Sequence, residues 1–229
     1  MSKGFSIAID GPVAAGKGTI APIVAQKLNG IYLDTGAMYR CAALYCLRNN
    51  VNLDNPEQIE KALLNIDIDI TRDRFFLNSE DVTEEIRTKE VDLGVPKVAG
   101  VPRVREVLIS QQKKIADKTL DQGLAFVAEG RDIATKVIPN ANLKIFLTAD
   151  VKIRAERRLK QKEEKDANSS FEQILEDVIK RDNQDIEVNK TLVSNPEEYG
   201  YIILDNSTMT EEETVDYIIQ KVKEADDKN

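Results

Sequence analysis

The run Gly11-Pro12-Val13-Ala14-Ala15-Gly16-Lys17-Gly18-Thr19 is the strongest chemical signal in the chain. Its glycines free the backbone to turn successive N–H groups inward, as a phosphate cradle requires. Lys17 adds a full positive charge for the outer phosphates, and Thr19 brings a hydroxyl of the kind that meets a phosphate-bound metal. Two further clusters pair acids with arginines: Asp34-Thr35-Gly36-Ala37-Met38-Tyr39-Arg40 and Glu129-Gly130-Arg131-Asp132. Among its 229 residues the chain has no histidine. That removes imidazole bases, His-ligated zinc and Ser-His-Asp triads. What is left is a set of cations, main-chain amides, carboxylates and an oxygen-held metal, suited to moving a phosphoryl group between anions.

Each cluster closes an apolar run. Phe5–Asp10, Ile31–Leu33 and Leu124–Ala128 read as short buried strands, as do Leu143–Leu147 and Tyr201–Asp205. Helices are expected between them. The first follows the glycine turn and runs to about Asn29, with Gly30 as its C′ residue and Pro22 costing it a hydrogen bond or a kink. Others are expected at Ala37–Asn49, Glu57–Asn65, Arg103–Lys118, Val151–Lys162, Phe171–Asn183 and Glu211–Glu224. Short strands alternating with helices predict an α/β fold: a parallel five-stranded sheet with helices on both faces. Ligands bind at the carboxyl ends of such strands, where all three clusters fall.

One segment breaks the rhythm. Ile66 to Leu77 alternates apolar and polar residues, which predicts an antiparallel hairpin and a small β insertion reaching to about Arg87. Phe75 and Phe76 are assigned to its core, and Arg87 and Lys89 to the surface. Pro96 and Pro102 punctuate the stretch beyond it. The Lys/Glu run Lys160–Asp166 reads as a solvated, mobile stretch, and the tail Ala225–Asn229 as frayed. Asp10 and Asp34 are read as caps or braces of the phosphate loop, and Glu129 as an acid near the metal.

The net charge of −8 argues against non-specific binding to nucleic acid polymers or anionic membranes. Cys41 and Cys46, five residues apart on a helix, would point about 140° apart and read as free buried thiols. No leader pattern and no run of ~20 apolar residues is visible, so a soluble cytoplasmic protein is expected.

The motifs together resemble the bacterial cytidylate kinases over nearly the whole chain. The resemblance rests on Gly11–Thr19, Tyr32–Arg40, Asp81–Thr88, Pro102–Glu106, Gly130–Asp132, Leu143–Ala149 and Arg181–Asp185. The Gly-Lys-Gly-Thr form of the loop is similar to that of nucleoside monophosphate kinases in general, and implies a Mg²⁺ held mainly by water and phosphate oxygens. The resemblance implies a single P-loop kinase domain, 1–229. Its core would be about 1–60 and 118–229, with a β-containing monophosphate-binding insertion at about 61–117 and a lid at about 158–170.

The resemblance also implies ATP-dependent phosphorylation of CMP and dCMP, and a monomer is expected. Gly11, Pro12, Val13, Ala14, Ala15, Gly16, Lys17, Gly18, Thr19 and Arg154 would bind ATP. Lys17, Arg131, Arg157 and Arg158 would act on the transferred group. Thr35, Arg40 and Arg131 would hold the acceptor phosphate, Arg105 and Asp132 the cytosine, and Arg181 and Asp185 the sugar. Two departures fall on nucleoside contacts: Pro96 stands where the family has a serine, and Val188 where it has an arginine, with Lys190 the nearest cation. Each lost contact predicts about 10- to 100-fold weaker binding. A kinase for UMP or AMP, or a nucleotide-binding regulator that has lost catalysis, are the alternative readings.

Overall fold

A computed structural model of the chain describes residues 4–64, 66–71, 74–163, 170–188 and 192–226. Strand β1 (Ser6–Asp10) is buried along its whole length because it is flanked on both sides and covered on both faces. Its neighbours are β6 (Phe126–Gly130) and β7 (Leu143–Thr148), and the edges are β2 (Ile31–Asp34) and β8 (Ile202–Asp205). The order β2-β6-β1-β7-β8 is parallel at every pairing, as expected. Register sets Asp10 against Gly130 and Asp34 against Glu129, so the strand-end acids converge at one edge.

Alternation along β1 divides the core. Ile7 and Ile9 face one apolar layer with α1 (Lys17–Lys27) and α8 (Glu211–Asp226). Ala8 faces the other, with α2 (Thr35–Arg48), α3 (Pro56–Leu63) and α5 (Pro102–Asp121). Helices α6 (Val151–Glu163) and α7 (Phe171–Asn183) meet through Ala155, Ile174 and Val178. The helix starts have local causes. Asp34 caps α2 by accepting from Ala37 N–H at 2.9 Å. Asn55 caps α3 ahead of Pro56, and Ser170 with Gln173 forms a reciprocal capping box on α7.

The insertion holds β3 (Ile68–Thr71) and β4 (Arg74–Leu77), the hairpin expected, plus a short third strand β5 (Glu80–Asp81). Phe75 is buried and Phe76, on the opposite face, half-buried. Arg48 at the end of α2 ties the insertion down through Glu80 in β5 at 2.7 Å and Glu85, in the 3-10 turn after it, at 2.9 Å.

Two expectations are corrected. Pro96 does not end an element; it lies inside α4 (Lys89–Ala99), capped by Thr88. Proline removes the N–H that would bond the Asp92 carbonyl, but Val91 and Val98 are buried in the core. Gly94 lets α4 approach α2: a Cβ there would lie 3.4 Å from that of Ala43. Gly30 is not the left-handed C′ residue of α1. Asn29 takes that conformation (φ 51°), and Gly30 N–H closes on Ala25 C=O at 2.8 Å, a Schellman ending. Gly30 is small for another reason: a Cβ there would stand 2.4 Å from the Ala125 oxygen.

Pro22 does lie within α1. Cys41 and Cys46 are free and buried. Helix α8 carries through Asp226, beyond the start of the expected frayed tail. Residues 164–169 of the expected lid, and Lys190, lie outside the described residues, as does the Val188 side chain.

Candidate active site

The loop after β1 reaches α1 through three unusual backbone conformations: Gly11 at φ 151°, Ala14 at φ 58° and Gly16, the N-cap, at φ 92°. At Gly11 the constraint is also spatial, since a Cβ would meet the Leu147 carbonyl oxygen at 2.0 Å. No side chain caps α1 and no acid lies in its first turn. Its first amides are therefore available to an anion, with the helix dipole behind them.

Lys17 is 5% exposed and donates to the Gly11 and Pro12 carbonyls at 2.9 and 2.8 Å. Burial and the neighbouring Arg131 cation push its ammonium well below the lysine range, while Glu129, Asp10 and Asp185 pull it back. An entering polyanion acts in that same upward direction. A cavity of about 380 Å³ opens here, lined by residues 14–19 with Glu129, Arg131 and Gln161. A second, of about 220 Å³, adjoins it between Gly16, Arg157, Asn206, Met209 and Thr214.

The other clusters close on the same edge. Thr35 donates its hydroxyl to the Glu129 carbonyl at 2.8 Å. Arg131 Nε meets Asp185 Oδ2 at 2.9 Å, and Arg181 Nε lies 3.4 Å from Asp185 Oδ1. Arg105 pairs with Asp132 at 2.5 Å and lies over the Tyr39 ring, 5.7 Å from its centroid. Burial raises the Asp132 carboxyl and Arg105 opposes that rise. Arg40 pairs with Asp92 and reaches the Ile86 carbonyl. Burial pushes the Arg40 guanidinium down, Asp34 opposes this, and the Arg87 and Arg158 cations add to the fall. Arg158 itself is exposed, with Gln161 at 3.4 Å.

Three residues are taken up in holding the loop and its surroundings. Arg157 donates to Asn206 Oδ1 and carbonyl, both at 3.0 Å, and burial lowers it. Arg154 sits under the loop, on the Val13 carbonyl at 3.0 Å and Asp182 at 2.6 Å. Asp10, wholly buried, accepts from Ile133 N–H, Ala134 N–H and the Tyr201 hydroxyl, and so braces the turn after β6.

Asp182 and Asn206 escape the sequence reading. Asn206 Nδ2 donates to the Ala15 carbonyl at 3.2 Å. Its place just beyond the carboxyl end of β8 was the available signal. Asp182 carried only its position between Arg181 and Asp185.

A phosphate loop, a buried lysine and converging arginines on a parallel sheet define a kinase of the P-loop type. A family model described as cytidylate kinase matches residues 7–224. The cytidylate kinase of Fusobacterium nucleatum is 40% identical over 217 residues, 95% of this chain and 96% of that one. That of Caldanaerobacter subterraneus is 41% identical over 95% of this chain and 94% of its own. That of Bacillus subtilis is 39% identical over 98% and 99%. The chain belongs to the cytidylate kinase family. A crystal structure of an uncharacterized protein from Eubacterium ventriosum shares the fold, with a TM-score of 0.54 at 14% identity, covering 97% of this chain and 99% of that one. Among the described residues no helix is long and apolar enough to cross a membrane.

Proposed function

We propose that the protein transfers the γ-phosphoryl group of ATP to CMP and dCMP, yielding ADP and the corresponding diphosphates. The observation that carries this is one edge of the sheet: the loop with Lys17 opens beside Arg131, whose partner Asp185 also holds Arg181. A donor and an acceptor anion can meet there, and nothing else among the described residues offers both a phosphate cradle and an arginine group.

In this reading the amides of residues 11–19 and Lys17 hold the donor phosphates. The cavity by Arg157, Asn206 and Met209 takes the remainder of ATP. Thr35, Arg40 and Arg131 hold the acceptor phosphate, and Arg181 and Asp185 the sugar. Asp132, oriented by Arg105, accepts the exocyclic amino group that sets cytosine apart from uracil. Arg131 and Arg158 meet charge on the transferred group, while Arg157, expected to join them, is held on Asn206 and lines the donor cavity instead. The attacking phosphate oxygen is already anionic at neutral pH, since its second pKa is about 6. No general base is needed, so direct in-line transfer suits a chain without histidine.

Mg²⁺ fits the donor set. Thr19 and Glu129 line the loop cavity with hard oxygens, and a Cβ on Gly18 would lie 3.7 Å from Glu129 Oε1. Phosphate oxygens and water would hold most of it, with Thr19 as a further ligand and Glu129 as an acid beside it, and it would neutralise donor charge there. The segment 61–117 serves as the acceptor-binding insertion on the core 1–60 and 118–229. The donor and acceptor groups of this reading lie on one chain, so it needs no second copy to complete the site, and it takes the protein to be a cytoplasmic monomer.

The test is ADP formation with CMP, dCMP, UMP and AMP as acceptors. The reading expects CMP and dCMP to be fastest. A highest rate with UMP or AMP displaces the cytosine assignment, and ADP release independent of any acceptor displaces the kinase.

A further inference from the structure

Val13 is held from three sides by one pair of helices. Its N–H donates to Asp182 Oδ1 at 3.2 Å, and its carbonyl accepts from Arg154 Nη1 at 3.0 Å. Its side chain packs on the seam formed by Ala155, Ile174 and Val178. The clamp is itself locked: Arg154 and Asp182 are 2.6 Å apart, and Arg154 Nε donates to the Ala149 carbonyl at 3.0 Å. Only 6% of Arg154 is exposed.

The loop held by this clamp is strained. Ala14, next in the chain, is left-handed at φ 58° without being glycine. Such a backbone persists only where its surroundings impose it. From Ala14 onward the chain lines the phosphate cavity. Three residues beyond Asp182, Asp185 holds Arg131 and Arg181. One end of α7, with the turn after it, thus touches both the loop and the arginine group.

We infer that Asp182 and Arg154 are positioning residues which set the phosphate loop through Val13, and that the Asp182–Asp185 turn makes binding at the two subsites interdependent. This rests on the proposal that the loop takes ATP and the arginine group takes CMP.

The experiment is calorimetric titration of the full chain with a non-hydrolysable ATP analogue plus Mg²⁺, and with CMP, each alone and in the presence of the other. Wild type should bind each nucleotide more tightly when the other is present, by the same factor in both directions. Asp182→Asn should weaken the analogue about tenfold, leave CMP alone within about twofold and reduce the coupling factor to about one. Adding Arg154→Met to Asp182→Asn should cost little more, because both act on one residue. A merely structural role would lower Tm and weaken both nucleotides alike with coupling retained, and that result overturns the inference. Should Asp182→Asn not fold, Arg154→Lys, which keeps the charge but loses the fork, must show the same loss of coupling. Unchanged analogue affinity and coupling, in an enzyme whose wild type phosphorylates CMP, overturn the inference alone. A wild type inactive with every monophosphate overturns the functional proposal first.

Discussion

The Tyr201 hydroxyl donates to the Asp10 carboxylate at 2.6 Å across 191 residues of sequence. The bond ties the end of the central strand to the start of β8, while the other Asp10 bonds reach Ile133 and Ala134. Asp10 is therefore a brace beneath the site. Burial raises its carboxyl and these donors oppose the rise. Tyr201→Phe should cost about 1.5–3 kcal/mol, the value of a buried bond to a charged group. Denaturant unfolding of the ligand-free protein measures it. A loss below about 0.5 kcal/mol would mean that the bond contributes nothing net.

Lys17→Ala should lower kcat by about 10²–10³-fold, as expected for removing one preorganised charge from a transition-state clamp. Far-ultraviolet circular dichroism should stay unchanged. Turnover within about threefold of wild type, well short of that loss, would falsify the role given to this lysine.

Asp132→Asn replaces an acceptor with a group that also donates, and strands Arg105. CMP should lose about 10- to 100-fold in kcat/KM, while UMP, whose ring presents a carbonyl at that point, should lose less. The CMP-to-UMP ratio of kcat/KM reads the outcome. An unaltered ratio places the base elsewhere.

Glu129 has its carboxyl raised above the usual 4.5 by burial and by Asp34, with Lys17 and Arg131 opposing. A carboxyl raised on folding stabilises the folded state in acid, and that contribution is lost as pH climbs towards about 7. Glu129→Gln should flatten the decline in ligand-free stability over that window. A slope identical to wild type means that the carboxyl is not held in the raised state.

Cys41 and Cys46 are buried thiols whose pKa is pushed up by burial, to about 12 and about 11. Neither should react with a disulfide reagent at pH 8 in the native protein, and both should titrate in denaturant. Rapid labelling of the native chain would show that α2 opens.

Sequence patterns revealed what depends on neighbours along the chain. Gly11–Thr19 announced itself because a tight turn, a lysine and a helix start are all local. The five core strands were legible as apolar runs, apart from their ends. Helix α4 was obscured by Pro96, whose local penalty is outweighed by the packing of Val91, Gly94 and Val98 on distant residues. The Asp182 clamp and the Asp10–Tyr201 tie were illegible for a deeper reason: neither partner's type or spacing implies the other until the sheet has brought them together.

The approach of Leu147 to Gly11 has a consequence for variation in this protein. The obstacle at that position is the scaffold's own carbonyl, 2.0 Å from where the first side-chain atom would sit, and not any nucleotide. A saturation library at this codon should therefore return glycine alone, whichever donor or acceptor the selection supplies.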